Sequence, residues 1–175
     1  MSLKRLLIVL ATFAVSSAFI LAQAPAAPAA APAPAPNYTL TPYGPPISLE
    51  VAKKVAVAAR AEAARNHWLM TVAVVSPSGD LIYYEHTDNS QWGSAKVAID
   101  KARSAALFKR PTKVYQDQLA QGGPNTRILQ IEGVTAVEGG VPLISDGKII
   151  GAIGVSGDTS SNDGQCANAA AQTVK

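Results

Sequence analysis

The sequence predicts an α+β domain, an antiparallel sheet of four or five strands with helices packed on it. Two pairs of short apolar runs, 70–75 with 81–85 and 141–145 with 148–156, are each joined by turn residues. Two longer stretches, 49–66 and 94–107, carry apolar residues at the three-and-four spacing of a helix. The regular strand–helix–strand alternation of a doubly wound parallel sheet is missing.

In the first helix Leu49, Ala52, Val55, Ala56, Ala59 and Ala63 share one face, and Lys53, Lys54, Arg60 and Glu62 leave it. Ser48 suits the N-cap, and Glu50 suits the positive end of the helix dipole. Residues 70–75 are rich in valine, residues 76–80 read Ser-Pro-Ser-Gly-Asp, and residues 81–85 contain two tyrosines, which together predict a hairpin with a longer loop. In the second helix Ala95, Ala98, Ile99, Ala102, Ala105 and Ala106 form an apolar face, and Pro111 stops it. Residues 112–119 have the makings of one or two more helical turns, closed by the Gly122-Gly123-Pro124 break. Residues 134–137 predict a short strand. Asp146-Gly147 between two apolar runs is the strongest hairpin signal in the chain. Residues 160–174 predict a last helix capped by Ser160 or Ser161.

Ahead of this domain, Lys4-Arg5, an apolar run over 6–22 and then small residues follow the order of a secretory signal. The run is short of the roughly 20 apolar residues of a membrane span, and Thr12, Ser16 and Ser17 dilute it. Residues 1–22 are therefore read as a signal peptide and residues 23–37 as an extended Ala/Pro-rich linker, leaving 38–175 as one domain. Export to the periplasm or the extracellular space follows, with no stable membrane span after cleavage. The net charge of +3 includes Lys4 and Arg5, and without them 13 basic residues face 12 acidic ones, so the pI near 9.1 does not point to nucleic acid. Cys166 is the single cysteine, which excludes an internal disulfide. Two histidines and one cysteine are too few for a dense zinc site. No Gly-x-Ser-x-Gly elbow or phosphate-binding loop occurs either.

Ser48-Leu49-Glu50-Val51-Ala52, Val72-Ala73-Val74-Val75, Asp88, Ala98-Ile99-Asp100-Lys101-Ala102-Arg103, Phe108 with Arg110-Pro111-Thr112, and Gly139-Gly140-Val141-Pro142 through Gly154-Val155-Ser156-Gly157 follow one another in a distinctive order. In that order the chain resembles the small haem-binding and haem-degrading family typified by GlcG and HbpS. The resemblance implies a profilin-like fold, haem or a similar flat acidic cofactor, and a homo-oligomer. It also implies a pocket between the second helix and the glycine hairpin.

The residues admit more than one role. Gly139 and Gly140 permit positive φ and close approach, as a pocket wall or as a tight turn against a helix. Pro142 suits an edge strand. Gly154 to Gly157 can form a backbone nest for an anion, although Asp158 and Asp163 nearby favour a structural turn. Lys101 can pair with an acidic ligand group or snorkel to solvent, Arg110 is a second cation, and Phe108, Ile99 and Val141 can wall a ring system. Asp88 can cap the second helix or bind a ligand. His86, after a strand edge, is the candidate iron ligand, with Tyr83, Tyr84, Tyr115 and Met70 as other axial groups and His67 as a helix end. A cofactor-free self-assembling sensory module and a binder or enzyme of small organic acids are the alternative functions. The exported chain is expected to begin at Gln23. Intact-mass measurement checks this, and a mature protein that retains residues 1–22 overturns it.

Overall fold

The computed structural model describes residues 37–174, so the expected signal segment and all but the last residue of the expected linker lie outside the described residues. Helix α1 (Leu49–Arg65) starts where Ser48 Oγ accepts a hydrogen bond from the Val51 amide, as the cap requires. Strands β1 (Thr71–Val75) and β2 (Leu81–His86) form the first hairpin. Helix α2 (Ser94–Leu107), helix α3 (Lys113–Ala120) and a 3-10 stretch (Gly123–Gln130) follow. Strands β3 (Gly140–Ser145) and β4 (Lys148–Ser156) turn on Asp146 and Gly147, both at positive φ, the conformation a two-residue hairpin loop needs. Helix α4 (Ser160–Ala171) closes the domain.

The sheet has four strands in the order β2-β1-β4-β3, and every neighbouring pair is antiparallel. An isolated bridge from Tyr43 to Ile149 adds a short parallel contact at its margin. Side chains alternate across the strands and so sort into two layers. Val72, Val74, Ile153, Val155 and Leu143 meet α1 and α4 through Val55, Ala56, Ala59, Cys166 and Ala167. Burying such valines and isoleucines stabilises the fold by about 1.5–3 kcal/mol each. The other face presents Ala73, Val75 and Ala152 to Ala98, Ala102, Ala105 and Ala106 of α2. This second seam is much thinner. A Cβ on Gly154 would stand 2.0 Å from the Ala98 carbonyl oxygen, and one on Gly140 would stand 2.3 Å from the Lys101 carbonyl oxygen. Glycine at these two positions is what lets helix backbone touch sheet backbone.

Three expectations are corrected. Residues 134–137 form no strand, because the Thr135 amide donates to Ser104 Oγ (3.1 Å) and the Glu138 amide to Gln116 Oε1 (2.8 Å) in place of a neighbouring strand. The cap of α4 is Thr159, whose hydroxyl accepts from the Asn162 amide, and the helix ends at Ala171, short of 174. Cys166 is fully buried, and burial pushes its thiol up to about 12. Among the described residues no helix is long and apolar enough to cross a membrane. Replacing Gly154 with Ala is expected to force α2 off the sheet and destabilise the domain by about 3 kcal/mol, the upper range of core overpacking. Chemical denaturation measures this, and a variant as stable as the parent contradicts the close seam.

Candidate functional site

The residues singled out in the sequence fall into separate places. Lys101 is only 1 % exposed, although it lies in the middle of α2, because it faces the start of β3 and the first turns of α4. Its Nζ donates to Asp163 Oδ2 at 2.7 Å and to the Val155 carbonyl at 3.0 Å. Burial pulls the Lys101 ammonium down and pushes the Asp163 carboxyl up, and each is opposed by the charge of the other. The amides of Asp158 and Gly157 also donate to the Asp163 carboxylate. The nest after β4 therefore holds an anion, and the anion is the chain's own.

A Cβ on Gly139 would stand 2.9 Å from Lys101 Nζ and 2.6 Å from the Val155 carbonyl oxygen. Together with the contact at Gly140, this closes the space between α2 and the glycine hairpin. The pocket expected there is filled by packing, and Lys101 and Asp163 occupy each other. Val141 faces the opposite layer, among the side chains of α1 and α4. Pro142 lies on the edge strand β3, as expected, and borders a shallow hollow with Tyr38, Ile144 and Asn168.

Phe108 and Arg110 lie at the C-terminal end of α2. Phe108 meets the Tyr115 ring edge-on at 6.1 Å. The Arg110 guanidinium sits 5.5 Å from the same ring, and its Nε donates to the Phe108 carbonyl. The other end of α2 is about 20 Å away at 1.5 Å per residue, and His86 and Asp88 are found there. The expected cofactor residues thus do not converge on one point. Met70 and Tyr115 are buried in packing, and Tyr83 donates its hydroxyl to Glu85.

What remains open is the α2-side face of β2. Helix α2 lies over β1, β3 and β4, leaving Leu81 44 % and Tyr84 38 % exposed. Leu81, Tyr84, Ala95, Ile99 and Arg103 line a hollow of about 450 Å³ with Lys96 and Asp100. A second hollow, also about 450 Å³, is bounded by His86, Asp88, Asn89, Ser90 and Trp92. Tyr84 and His86 are two apart on one strand and point to the same face, so the hollows lie end to end along β2. Trp92 is 85 % exposed and stacks on His86, with ring centroids 5.0 Å apart and planes 10° from parallel. Asp88 lines this hollow and does not cap α2, whose N-cap Gly93 has no side-chain bond.

Ile99, Tyr84 and His86, all singled out in the sequence, line these two hollows. Trp92, Lys96 and Arg103 were not singled out for a site, and the available signal was a tryptophan in a polar loop beside the strand that carries the histidine. Electrostatically the groove is mixed. Lys96 pairs with Asp100, and Arg103 Nε donates to the Gly79 carbonyl at 3.1 Å. Among the described residues no three His, Cys, Asp or Glu side chains gather to hold a metal alone.

Comparison with known proteins gives a consistent result. The profile of the family described as haem degrading protein, HbpS-like, matches residues 47–172. Protein GlcG of Escherichia coli strain K12 is 38 % identical over 110 residues, covering 63 % of this chain and 81 % of GlcG. The crystal structure of a double mutant of Streptomyces reticuli HbpS superposes with a TM-score of 0.68 at 32 % identity, covering 85 % of this chain and 99 % of that one. Klebsiella pneumoniae ORFY, of family DUF336, superposes with a TM-score of 0.69 at 25 % identity, covering 74 % and 90 %.

The buried ion pair makes a sharp prediction. Lys101→Met or Asp163→Asn alone strands a polar or charged partner in the core and is expected to destabilise by about 3–5 kcal/mol. The double variant Lys101→Met with Asp163→Asn is expected to lose less than the sum of the two single losses. A thermodynamic cycle by urea unfolding reads the coupling, and purely additive losses would show that the two groups are not paired.

Proposed function

The chain belongs to the HbpS-like family of haem-degrading proteins, and from that premise we propose that it binds haem, or a related flat acidic tetrapyrrole, in the open groove between β2 and α2. The observation that carries this placement is the exposed face of β2, where an imidazole and an indole stand beside apolar side chains. The strand segment from Leu81 to His86 spans about 17 Å, long enough for a flat macrocycle to lie along it.

The donor set suits such a ligand. His86 offers a nitrogen of the kind that holds haem iron. Leu81, Tyr84 and Ile99 form an apolar wall, and Trp92 adds a ring face. Lys96 and Arg103 stand at the rim as cationic partners for carboxylates. This is the usual composition of a cofactor site, mostly apolar with a few placed polar groups. When bound, haem iron supplies the redox chemistry on which degradation or sensing rests. The residues named here hold and orient the ring and keep water from one of its faces. The N-terminal order of charge, apolar run and Ala/Pro tract supports export, which would place haem capture in the periplasm or outside the cell.

Titration with haemin is expected to give a Soret change that saturates near one haem per chain. His86→Ala is expected to weaken it strongly and Trp92→Ala to weaken it less. Arg110→Ala, at the far end of α2, is expected to bind as the parent does. Weak, non-saturating association, or full affinity in His86→Ala, overturns this placement.

A further inference from the structure

The His86 imidazole is held by two hydroxyls that no ligand role explains. The amide of Thr87 donates to the Met70 carbonyl (3.3 Å), so the next pair, Thr71 opposite His86, falls in the non-hydrogen-bonded register of the antiparallel ladder. Side chains lie closest in that register, and Thr71 Oγ1 sits 2.9 Å from His86 Nδ1. The turn Thr87-Asp88-Asn89-Ser90, closed by the Ser90 amide on the Thr87 carbonyl and with Asn89 at φ 64°, folds Ser90 back under the ring. Ser90 Oγ lies 3.2 Å from Thr71 Oγ1 and 3.2 Å from each ring nitrogen. Thr71 is fully buried and Ser90 nearly so, while Trp92 covers one face of the ring.

The fully buried Thr71 hydroxyl is satisfied when Nδ1–H donates to Thr71 Oγ1 and Thr71 donates to Ser90 Oγ. That arrangement keeps the imidazole proton on Nδ1. Ser90 Oγ, equidistant from the two ring nitrogens, packs against the ring.

We infer that Thr71, backed by Ser90, is a positioning residue: its buried hydroxyl takes the Nδ1–H of His86 and leaves Nε2 bare. A ligand that takes the Nε2 lone pair leaves the Nδ1–H bond to Thr71 in place. The buried Thr71 hydroxyl keeps its partners throughout. Without the Thr71 hydroxyl, the His86 imidazole has no fixed partner on Nδ1 and no fixed tautomer.

The inference builds on the proposed haem site, and its test begins without haem. In the ligand-free protein, the nitrogen-15 shifts of the His86 ring report which nitrogen carries the proton. Thr71→Val removes the hydroxyl at nearly constant shape and is expected to move those shifts, while Thr71→Ser is expected to restore them. Ser90→Ala, on the loop, repeats the test without touching the sheet. With haemin, Thr71→Val is expected to lose about 10–100-fold in affinity, as loss of a partner behind a metal ligand does, and to shift the Soret maximum, with Thr71→Ser recovering both. Ring shifts that ignore both Thr71→Val and Ser90→Ala overturn the inference. If the shifts respond and haemin fails to bind, the clamp stands and the haem reading falls.

Discussion

The structure depends on how closely α2 approaches the sheet. Gly140 and Gly154 offer no Cβ, and α2 answers with Ala98, Ala102, Ala105 and Ala106, so at these two glycines of the seam sheet backbone meets helix backbone with no room for a side chain between them. Such a seam buries little apolar area per residue compared with the opposite layer, where valine, isoleucine and leucine fill the space under α1 and α4. It gains by fixing position. A helix seated on glycines has one low-energy place on the sheet, because any shift brings a Cβ of the sheet against it. That place lies over β1, β3 and β4, and the face of β2 is left open as a geometric consequence.

The Lys101–Asp163 pair belongs to the same constraint. Taking two charges out of water offsets most of what their attraction returns, so the pair adds little net stability over an apolar filling. It does penalise every alternative seating. Were α2 to slide by one turn, the ammonium would leave both Asp163 and the Val155 carbonyl and remain buried without a counter-charge. The amides of Gly157 and Asp158 hold the carboxylate from its other side, so the pair joins α2, the end of β4 and the start of α4 in one polar cluster. Glycine seam and ion pair together fix the relation of the three layers at this end of the sheet.

Local signals were read well. Ser48 with the alanine spacing that follows it, the glycine-bearing turn at Asp146-Gly147, and the stop at Pro111 all act within a few residues of the structure they determine. What escaped the sequence acts at a distance. Residues 134–137 have strand-like composition, but Ser104, 31 residues away, takes the Thr135 amide and Gln116 takes that of Glu138. Lys101 reads as a free cation until Asp163, 62 positions later, is brought beneath it. The roles of Thr71 and Ser90 depend on the strand register, which apolar patterning alone does not specify to the residue. His86 closes a patterned strand and Ile99 belongs to the apolar face of a patterned helix, so the position of each is readable locally. Phe108 and Arg110 were assigned to one site with His86 through the family likeness, although the helix over 94–107 puts them at its opposite end.

The residues that carry the family likeness and those that line the proposed groove are largely different sets. Lys101, Gly140, Gly154 and the alanines of α2 recur in the motifs that resemble the family, and each is accounted for by the seam between helix and sheet. Such motifs identify a scaffold, because a thin seam tolerates few substitutions, and they say little about the ligand. The groove draws on the outward face of an edge strand and on the loop from Thr87 to Gly93, where a changed side chain meets solvent instead of a packed neighbour. Trp92, 85 % exposed, can therefore be exchanged without disturbing the layers beneath. The seam thus leaves the face of β2 uncovered and its exposed side chains free to differ.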